Sequence, residues 1–241
     1  MTVVVWVARP PGLDAEPART LPDDLLDDDE RARMARFRRP LDGARFAAGR
    51  RLTRAALAHH TGQPPGLLRF DRRCRWCGGP HGKPRLRAPA GAAPDFSLTT
   101  CEGLVALAVS TAQPSMTVGV DMEPAQRSVG VDLLARCVLA PSERARLDTA
   151  VQGERDWSFL QLWTAKEAFA KAVGKGLALP LSACQVNLRR GALALTDVPA
   201  PFGPASAWSV VPVVVPGFLG AVAVDARDAA VEVREAPDGW T

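Results

Sequence analysis

The sequence predicts a mixed α/β (α+β) fold, because strand signals alternate along the chain with two strongly helical blocks. Its 241 residues are 47% hydrophobic and 23% charged, which is enough to bury a core as one large domain or as two smaller ones. The five cysteines are irregularly spaced and do not suggest a secreted disulfide framework. We therefore expect free thiols and a cytoplasmic protein.

Runs of β-branched and apolar residues predict the strands. The first run, residues 3–7, has no basic region before it and is too short for a signal sequence, so it is interpreted as a strand. Further strands are predicted over residues 104–109 and 117–123.

One uncharged stretch, residues 202–224, is long enough to cross a membrane. It is interrupted by residues that break a helix, namely Pro204, Pro212, Pro216 and Gly217. Two strands, over residues 207–215 and 218–225, joined at Pro216 and Gly217, explain the stretch better. No membrane span is therefore expected.

The helical blocks cover residues 44–60 and 154–173, and a shorter helix is predicted after Pro141. A natural seam lies near residues 111–115, between two predicted strands. We therefore predict an N-terminal subdomain over residues 1–113 and a C-terminal subdomain over residues 114–241. Each would contain a long helix and several strands.

The second helical block carries an acid and a base four residues apart, Glu167 and Lys171. Residues at this spacing are neighbours on one helix face. They either form a surface ion pair or face a cleft together beside Trp163, which itself is expected to pack rather than react.

A second acidic motif lies on the predicted strand over residues 117–123. Asp121 and Glu123 are two positions apart, so their side chains share one face of the strand. Two crowded carboxylates repel each other unless a proton or a cation lies between them, and carboxylate oxygens suit Mg²⁺. The alternative is an exposed strand end without a metal.

Together the two motifs resemble one family. V-G-V-D-M-E, followed about forty positions later by W-T-A-K-E-A-F-A-K-A-V-G-K-G-L, resembles the Sfp-type 4′-phosphopantetheinyl transferases. Arg45 and Gly49 in an arginine-rich helix, Gly82-Lys83-Pro84, and residues 96–103 extend the resemblance over most of the chain, in the order found in the family.

The resemblance implies two similar subdomains related by a pseudo-two-fold axis, with coenzyme A bound in the cleft between them. It implies that Asp121, Glu123 and Glu167 hold Mg²⁺ against the pyrophosphate of coenzyme A. Lys171 would neutralise phosphate charge. Glu167 would take the proton of the attacking serine, with Glu123 as the alternative base.

The net charge of +4 hides a dense arginine block between residues 31 and 54 that follows an Asp-rich segment. Most of these arginines are interpreted as a solvated helix face. Guanidinium groups also match phosphate oxygens, and the resemblance favours Arg33, Arg45 and Lys83 as ligands of the coenzyme A phosphates. The turn at Gly82 and Pro84 is expected to expose Lys83.

One position departs from the family pattern. Thr99 and Thr100 are expected to contact coenzyme A, but Thr100 stands where the family usually carries a histidine. A threonine can donate a hydroxyl hydrogen bond but carries no positive charge. The resemblance therefore implies weaker coenzyme binding, or compensation by an arginine.

Cys74, Cys77 and His81 offer three of the four ligands that a zinc site uses. No second C-x-x-C or histidine pair supplies the fourth, so buried or free thiols are the preferred interpretation. A thioredoxin-like redox role is disfavoured, because the cysteine pair does not begin a βα unit.

The function implied is that of a holo-[acyl-carrier-protein] synthase type transferase, which moves 4′-phosphopantetheine from coenzyme A to a serine of acyl or peptidyl carrier proteins. We expect the protein to modify the carrier proteins of secondary-metabolite synthases and to be a monomer. Two alternatives stay open: a nucleic-acid-binding protein that uses the arginine block, and a silent relative that binds carriers. The first lacks interleaved aromatic residues, so no nucleic-acid partner is expected.

Overall fold

Residues 2–10, 24–88, 93–111, 116–126, 130–237 and 240 are described by the computed structural model of the chain. The α-helices in these ranges are α1 Asp28–Met34, α2 Pro40–Thr61, α3 Val131–Val138, α4 Pro141–Asp148 and α5 Gln152–Ala172. The helices predicted over residues 44–60 and 154–173 are α2 and α5, and the one predicted after Pro141 is α4. Proline begins both α2 and α4, where its missing N–H costs no intrahelical hydrogen bond.

The strands in the described ranges are β1 Thr2–Ala8, β2 Phe70–Asp71, β3 Arg85–Leu86, β4 Phe96–Cys101, β5 Leu104–Ser110, β6 Val118–Pro124, β7 Gln185–Arg189, β8 Ala192–Asp197, β9 Ser209–Val215, β10 Phe218–Val224 and β11 Ala230–Glu235. The first sheet has the order β11-β1-β5-β4, and the second has the order β6-β10-β9. The pairs β2-β3 and β7-β8 form two small hairpin-like sheets.

The uncharged stretch over residues 202–224 forms the antiparallel pair β9 and β10, as predicted. The turn between them uses Gly217, whose φ of 82° is accessible to glycine at little cost. No helix among the described residues is long and apolar enough to cross a membrane.

The strands alternate their side chains between two apolar layers. On β1, Val4 and Trp6 pack against Leu52 of α2, whereas Val3 and Val5 face the second sheet. On the far side of the second sheet, α5 packs against β10 in a separate cluster. The layers therefore follow the order α2, first sheet, second sheet, α5. This arrangement of helices and sheets confirms the predicted α+β class.

The two sheets meet where β4 lies beside β6. Asp95, which precedes β4, accepts a hydrogen bond from the Val118 N–H at 2.8 Å. Ser97 Oγ accepts one from the Val120 N–H at 3.1 Å. The side chains of Asp95 and Ser97, two positions apart, thus satisfy backbone amides of β6 and fix the register between the halves.

The last strand returns to the first sheet. β11 pairs in parallel with β1, with Thr2 opposite Ala230 and Val7 opposite Glu235. Residues 230–235, which the predicted division placed in the C-terminal subdomain, therefore complete the N-terminal sheet. The predicted boundary between residues 113 and 114 lies outside the described residues.

Candidate active site

Gly119 sets the distance between β6 and α5. A Cβ atom there would lie 1.9 Å from the Ala168 carbonyl oxygen and 2.5 Å from the Ala172 amide nitrogen. Only glycine permits this approach of backbone to backbone. Asp121 and Glu123 share the face of β6 that carries Gly119, because they follow it at intervals of two. The glycine therefore brings both carboxylates beside α5.

Asp121 lies at the meeting point of three elements. Its Oδ1 atom accepts a hydrogen bond from Thr99 Oγ1 of β4 at 3.1 Å and another from Lys171 Nζ of α5 at 2.7 Å. The residue is only 6% exposed. Its second oxygen, Oδ2, is buried and has no hydrogen-bond partner among the described residues. A buried carboxylate oxygen without a partner is costly, and a bound cation would satisfy it.

Glu167 is brought into the same electrostatic environment. Its pKa is raised, first by burial and then by the negative charge of Asp121, with a further contribution from Glu123. Lys171 acts in the opposite direction. The structure therefore brings together the four residues predicted for the metal and the chemistry: Asp121, Glu123, Glu167 and Lys171.

The predicted choice between a surface ion pair and a cleft is resolved by Lys171. Its ammonium group pairs with Asp121 on the neighbouring strand rather than with Glu167 on its own helix. Trp163 packs edge-on against Phe159 with ring centroids 5.4 Å apart, at the border of the apolar cluster beneath α5. This contact agrees with the expected packing role of Trp163.

The donor set fits a hard divalent cation. The charges of Asp121 and Glu123 on β6 both act on Glu167 of α5, and Asp121 also carries a buried oxygen without a partner among the described residues. Mg²⁺ prefers a few carboxylates together with water and substrate oxygens. Thr99, which donates to Asp121, would orient that ligand.

A cavity of about 710 Å³, with Lys171 in its wall, opens between the two halves. Arg50 and Leu98 contribute to its wall from the N-terminal half, and Lys171 and Gly174 contribute from the C-terminal half. Its volume is in the range of pockets that hold cofactors or drug-sized ligands.

A second cavity of about 1000 Å³ continues along the arginine block. Arg33 and Arg50 both line it, and their guanidinium groups lie over the Phe46 ring at 5.3 and 5.4 Å from its centroid. Arg45 is half-buried on α2. The structure thus places Arg33 beside open space, which its predicted phosphate-binding role requires.

Arg50 is a candidate functional residue that the sequence reasoning did not single out. It borders both cavities, and its Nε is buried without a hydrogen-bond partner among the described residues. Burial, followed by repulsion from Arg72, lowers the pKa of Arg50 to about 10. An anion would offset both effects. Its position within a run of arginines gave no signal that distinguished it from its neighbours.

Other arginines of the block are structural. Arg54 is buried and pairs with Glu30 at 2.9 Å and with Asp27 at 3.1 Å, and the buried Arg51 pairs with Asp24. Asp27 and Glu30 also form the capping box that begins α1. Arg51 and Arg54 therefore do not belong to a solvated helix face, because the acidic residues before α2 fold back onto it.

Lys83 was expected to be exposed by its turn, but its side chain is largely buried. Its side chain is 9% exposed and its ammonium group contacts Asp95, the Val118 carbonyl oxygen at 2.7 Å and the Ala172 carbonyl oxygen at 3.5 Å. Burial lowers the pKa of Lys83, an effect that Asp95 opposes. Lys83 therefore ties β6 and α5 to the N-terminal half at the edge of the 710 Å³ cavity.

The two threonines point in different directions. Thr99 is buried and donates to Asp121, whereas Thr100 is exposed on the other face of β4. A Cβ atom on Gly49 would lie 3.4 Å from Thr100 Oγ1, so that helix position lies close to the threonine. The predicted contacts of both threonines with coenzyme A stay predictions.

Comparison with known proteins shows which family the chain resembles. Residues 117–211 match the profile of the 4′-phosphopantetheinyl transferase superfamily. The chain is 30% identical over 228 residues to the 4′-phosphopantetheinyl transferase HetI of Nostoc sp. (strain PCC 7120), covering 87% of this chain and 88% of the relative. It is 29% identical over 161 residues to a 4′-phosphopantetheinyl transferase of Bacillus subtilis, covering 67% and 66% of the two chains.

Among solved structures, the holo-[acyl-carrier-protein] synthase of Thermotoga maritima aligns with a TM-score of 0.36 and 22% identity. The alignment covers 45% of this chain and 62% of that one.

Proposed function

The chain belongs to the 4′-phosphopantetheinyl transferase superfamily, and we propose that it transfers 4′-phosphopantetheine from coenzyme A to a serine of an acyl or peptidyl carrier protein. The observation that carries the proposal is that Asp121, which interacts electrostatically with Glu167, holds a buried oxygen without a partner among the described residues. The products would be the modified serine and adenosine 3′,5′-bisphosphate.

Asp121, Glu123 and Glu167 would hold Mg²⁺, which when bound neutralises charge on the pyrophosphate. The Oδ2 atom of Asp121 supports this assignment, because it is a buried acceptor that has no hydrogen-bond partner among the described residues. Thr99 and Lys171 occupy the other oxygen of Asp121 and so fix the direction of the carboxylate.

The serine oxygen would attack the β-phosphorus of coenzyme A, and the bond from that phosphorus to the bridging oxygen would break. Glu167 is the base we assign to the serine proton, because it is the acidic residue of α5 that interacts with Asp121 and because a bound cation would keep its carboxylate ionised and able to accept the proton. The bridging electrons leave with the adenosine 3′,5′-bisphosphate. Lys171, half-exposed at the cavity wall, would stabilise charge on the phosphates.

The 710 Å³ cavity is our candidate site for the coenzyme, with its phosphates directed toward the arginines of the neighbouring 1000 Å³ cavity. Arg33, Arg45 and Arg50 are the proposed phosphate ligands. Arg50 would also supply the positive charge that Thr100 cannot supply. Lys83 is proposed to bind a phosphate from the edge of the cavity. Its ammonium group also pairs with Asp95, which fixes its position there.

The carrier partner is proposed to be an acidic helical module that meets basic and apolar surface near the cleft, since complementary charge speeds encounter and biases partner choice. Carriers of secondary-metabolite synthases remain the favoured class. A cytoplasmic location and a monomeric state stay predictions.

The test is to incubate the protein with coenzyme A, MgCl₂ and an apo carrier protein, and to follow the intact mass of the carrier. We expect addition of one phosphopantetheine, lost on treatment with EDTA and restored by MgCl₂. Asp121→Asn and Glu167→Gln should slow loading by about 100-fold or more. Glu154→Gln, an exposed carboxylate on the same helix, should load at the parental rate.

Three results would contradict the proposal. Equal loading rates for the parent and both acidic variants would remove the assigned site. A parent that binds carrier without modifying it would support the silent relative, and one that binds RNA with steep salt dependence instead would support the nucleic-acid alternative.

A further inference from the structure

A second cluster of metal-binding side chains lies outside the carboxylate site. The Sγ atoms of Cys74 and Cys77 and a ring nitrogen of His81 all lie within 4.8 Å of one another. The Cys77 sulfur and His81 Nε2 are 3.0 Å apart. The sequence brings the two cysteines close by their spacing, but only the folded loop adds the histidine.

The loop that carries these residues is held by backbone hydrogen bonds. The Gly78 N–H donates to the Cys74 carbonyl oxygen at 2.8 Å, and the Cys74 N–H donates to the Gly79 carbonyl oxygen at 2.7 Å. Gly78 has a φ of 76°, which glycine adopts without strain. The two cysteines therefore sit on a tight turn that points both sulfurs to one side.

Gly82 folds the histidine back over this turn. A Cβ atom at Gly82 would lie 2.6 Å from both the Arg73 carbonyl oxygen and the Cys74 Cα atom. The Gly82 N–H donates to the Arg72 carbonyl oxygen at 2.7 Å. Glycine is therefore required after His81 for the ring to reach the cysteines.

The Cys74 sulfur already has the backbone environment of a metal ligand. The amides of Trp76 and Cys77, two and three residues further on, are near enough to favour its thiolate and lower its pKa. Amide donors of this kind orient ligands and tune their affinity for a metal.

We propose that Cys74, Cys77 and His81 bind Zn²⁺, with solvent as the fourth ligand. Two thiolates and an imidazole are ligands that zinc prefers and that Mg²⁺ avoids, so this site would not compete with the carboxylates for the same ion. Tetrahedral zinc with bonds of about 2.3 Å to sulfur and about 2.1 Å to nitrogen separates sulfur and nitrogen by about 3.6 Å. The Cys77 to His81 distance of 3.0 Å would therefore open by roughly half an ångström, a side-chain adjustment.

The fourth position is assigned to solvent because the described residues place no further histidine, cysteine or carboxylate in the cluster. Cys77 and His81 are exposed, so water reaches the ion, whereas Cys74 is buried. All three residues also line the 710 Å³ cavity.

The contacts of Trp76 indicate what the metal would do. This residue lies between the two cysteines and packs edge-on against Phe202, with centroids 5.7 Å apart. Lys175 Nζ lies 4.1 Å from the centroid of the Trp76 ring. Zinc would therefore fix the loop that holds the N-terminal half against the C-terminal half at the cavity wall.

The proposal is tested by the metal content of tag-free protein purified without chelator and dialysed against metal-free buffer. We expect inductively coupled plasma mass spectrometry to find about one Zn²⁺ per chain. Replacement by Co²⁺ should produce a thiolate-to-cobalt charge-transfer band and the visible bands of tetrahedral coordination. These measurements use the unaltered chain and do not depend on transferase activity.

Variants assign the ligands. Cys77→Ser and His81→Ala should each lower the retained Zn²⁺ at least about tenfold, whereas Cys137→Ser, an exposed cysteine on α3, should retain it. The inference is overturned if the parent neither contains nor takes up Zn²⁺, if Co²⁺ binds without the charge-transfer band, or if Cys137→Ser loses as much metal as Cys77→Ser. Isolation of the parent with a Cys74–Cys77 disulfide and no affinity for Zn²⁺ after reduction would also overturn it.

Discussion

Lys171 Nζ lies 2.7 Å from Asp121 Oδ1, so the cation of α5 is paired with a carboxylate of β6. Glu167 lies one helical turn earlier on the same face as Lys171. Burial and the negative charge of Asp121 raise its pKa. The pairing links α5 to β6 close to Gly119, where the two backbones approach each other. It also leaves one oxygen of Asp121 available for a cation.

The close approach at Gly119 leads to the first prediction. Gly119→Ala should separate α5 from β6, because the added methyl group would overlap backbone atoms of Ala168 and Ala172 that cannot rotate away. We expect a loss of at least about 1–3 kcal/mol in the free energy of unfolding, measured with urea. Loading activity should fall more than stability alone explains, since Asp121 would move away from Lys171.

Gly153→Ala provides the control for that variant. Gly153 is on α5, and a Cβ atom there meets open space. It should preserve activity and slightly increase stability, as alanine favours helix. Equal effects of the two variants would contradict the role given to Gly119.

The hydrogen bond from Thr99 to Asp121 leads to the second prediction. Thr99→Val keeps the shape of the side chain but removes the donor, so Asp121 should be held less firmly. We expect the apparent affinity for Mg²⁺ in the loading assay to fall about 10- to 100-fold. Thr196→Val, at an exposed threonine on β8, should leave the Mg²⁺ dependence unchanged; a similar loss there would remove the orienting role from Thr99.

The raised pKa of Glu167 predicts how stability depends on pH in the presence of EDTA. Because the folded-state pKa lies above the unfolded value, the folded protein binds the proton more tightly, and it loses stability as the pH rises through the folded-state pKa. Glu167→Gln removes this loss. The variant should therefore be more stable than the parent at pH 8, and the difference should shrink as the pH falls toward the ordinary carboxyl value of 4.5.

Thermal unfolding across that pH range in EDTA measures the difference. Saturating MgCl₂ should reduce it at pH 8, because a bound cation favours the ionised carboxylate. A constant gap between parent and variant at every pH would contradict the shifted pKa.

Arg50 provides a prediction about the ligand. Arg50→Met should weaken coenzyme A binding about 10- to 100-fold, as expected for lost hydrogen bonds to a charged group. Stability without ligand should fall little, because the Nε of Arg50 has no hydrogen-bond partner among the described residues. Calorimetric titration with coenzyme A measures the first effect, and Arg189→Met on β7, an exposed arginine, is the control. Unchanged affinity in Arg50→Met would exclude Arg50 from the phosphate site.

Lys166 and Glu143 form a buried ion pair at 2.5 Å that anchors α5 to α4. Lys166 also donates to the carbonyl oxygens of Val138 and Leu181, so replacing it leaves a buried carboxylate without its cation and two carbonyl groups without this donor. Lys166→Met should cost about 3–5 kcal/mol in urea unfolding.

Arg155 provides the contrast on the same helix. It pairs with the exposed Asp132 and Asp148, and a surface ion pair contributes about 1 kcal/mol or less. Arg155→Met should therefore be nearly neutral. If Arg155→Met lowers the free energy of unfolding as much as Lys166→Met does, burial is not the reason that the Lys166–Glu143 pair contributes more than the Arg155 pairs.

The local patterns of the sequence predicted most of the fold. Alternation along residues 118–124 and the proline at the start of α4 identified their elements, because strand periodicity and proline preferences act over a few residues. The same patterns placed Asp121 with Glu123 and Glu167 with Lys171. The resemblance to the family then joined these two pairs into one site, which spacing alone could not do.

Other features required contacts between residues far apart in the chain. The return of β11 to β1, the burial of Lys83 and the ion pairs of Arg51 and Arg54 depend on partners that no local pattern identifies. Arg50 is distinguished from adjacent arginines only by the space and the unpaired atoms around it.

The sequence by itself determined which residues of this protein can bind a cation or move a proton, because side-chain chemistry and short-range periodicity are local properties. The tertiary structure decided which of them meet. Gly119 allows α5 to contact β6, and Thr99 and Lys171 approach Asp121 from opposite halves. Burial then raises the pKa of Glu167, since the cost of a charge depends on the surroundings that only the folded chain provides.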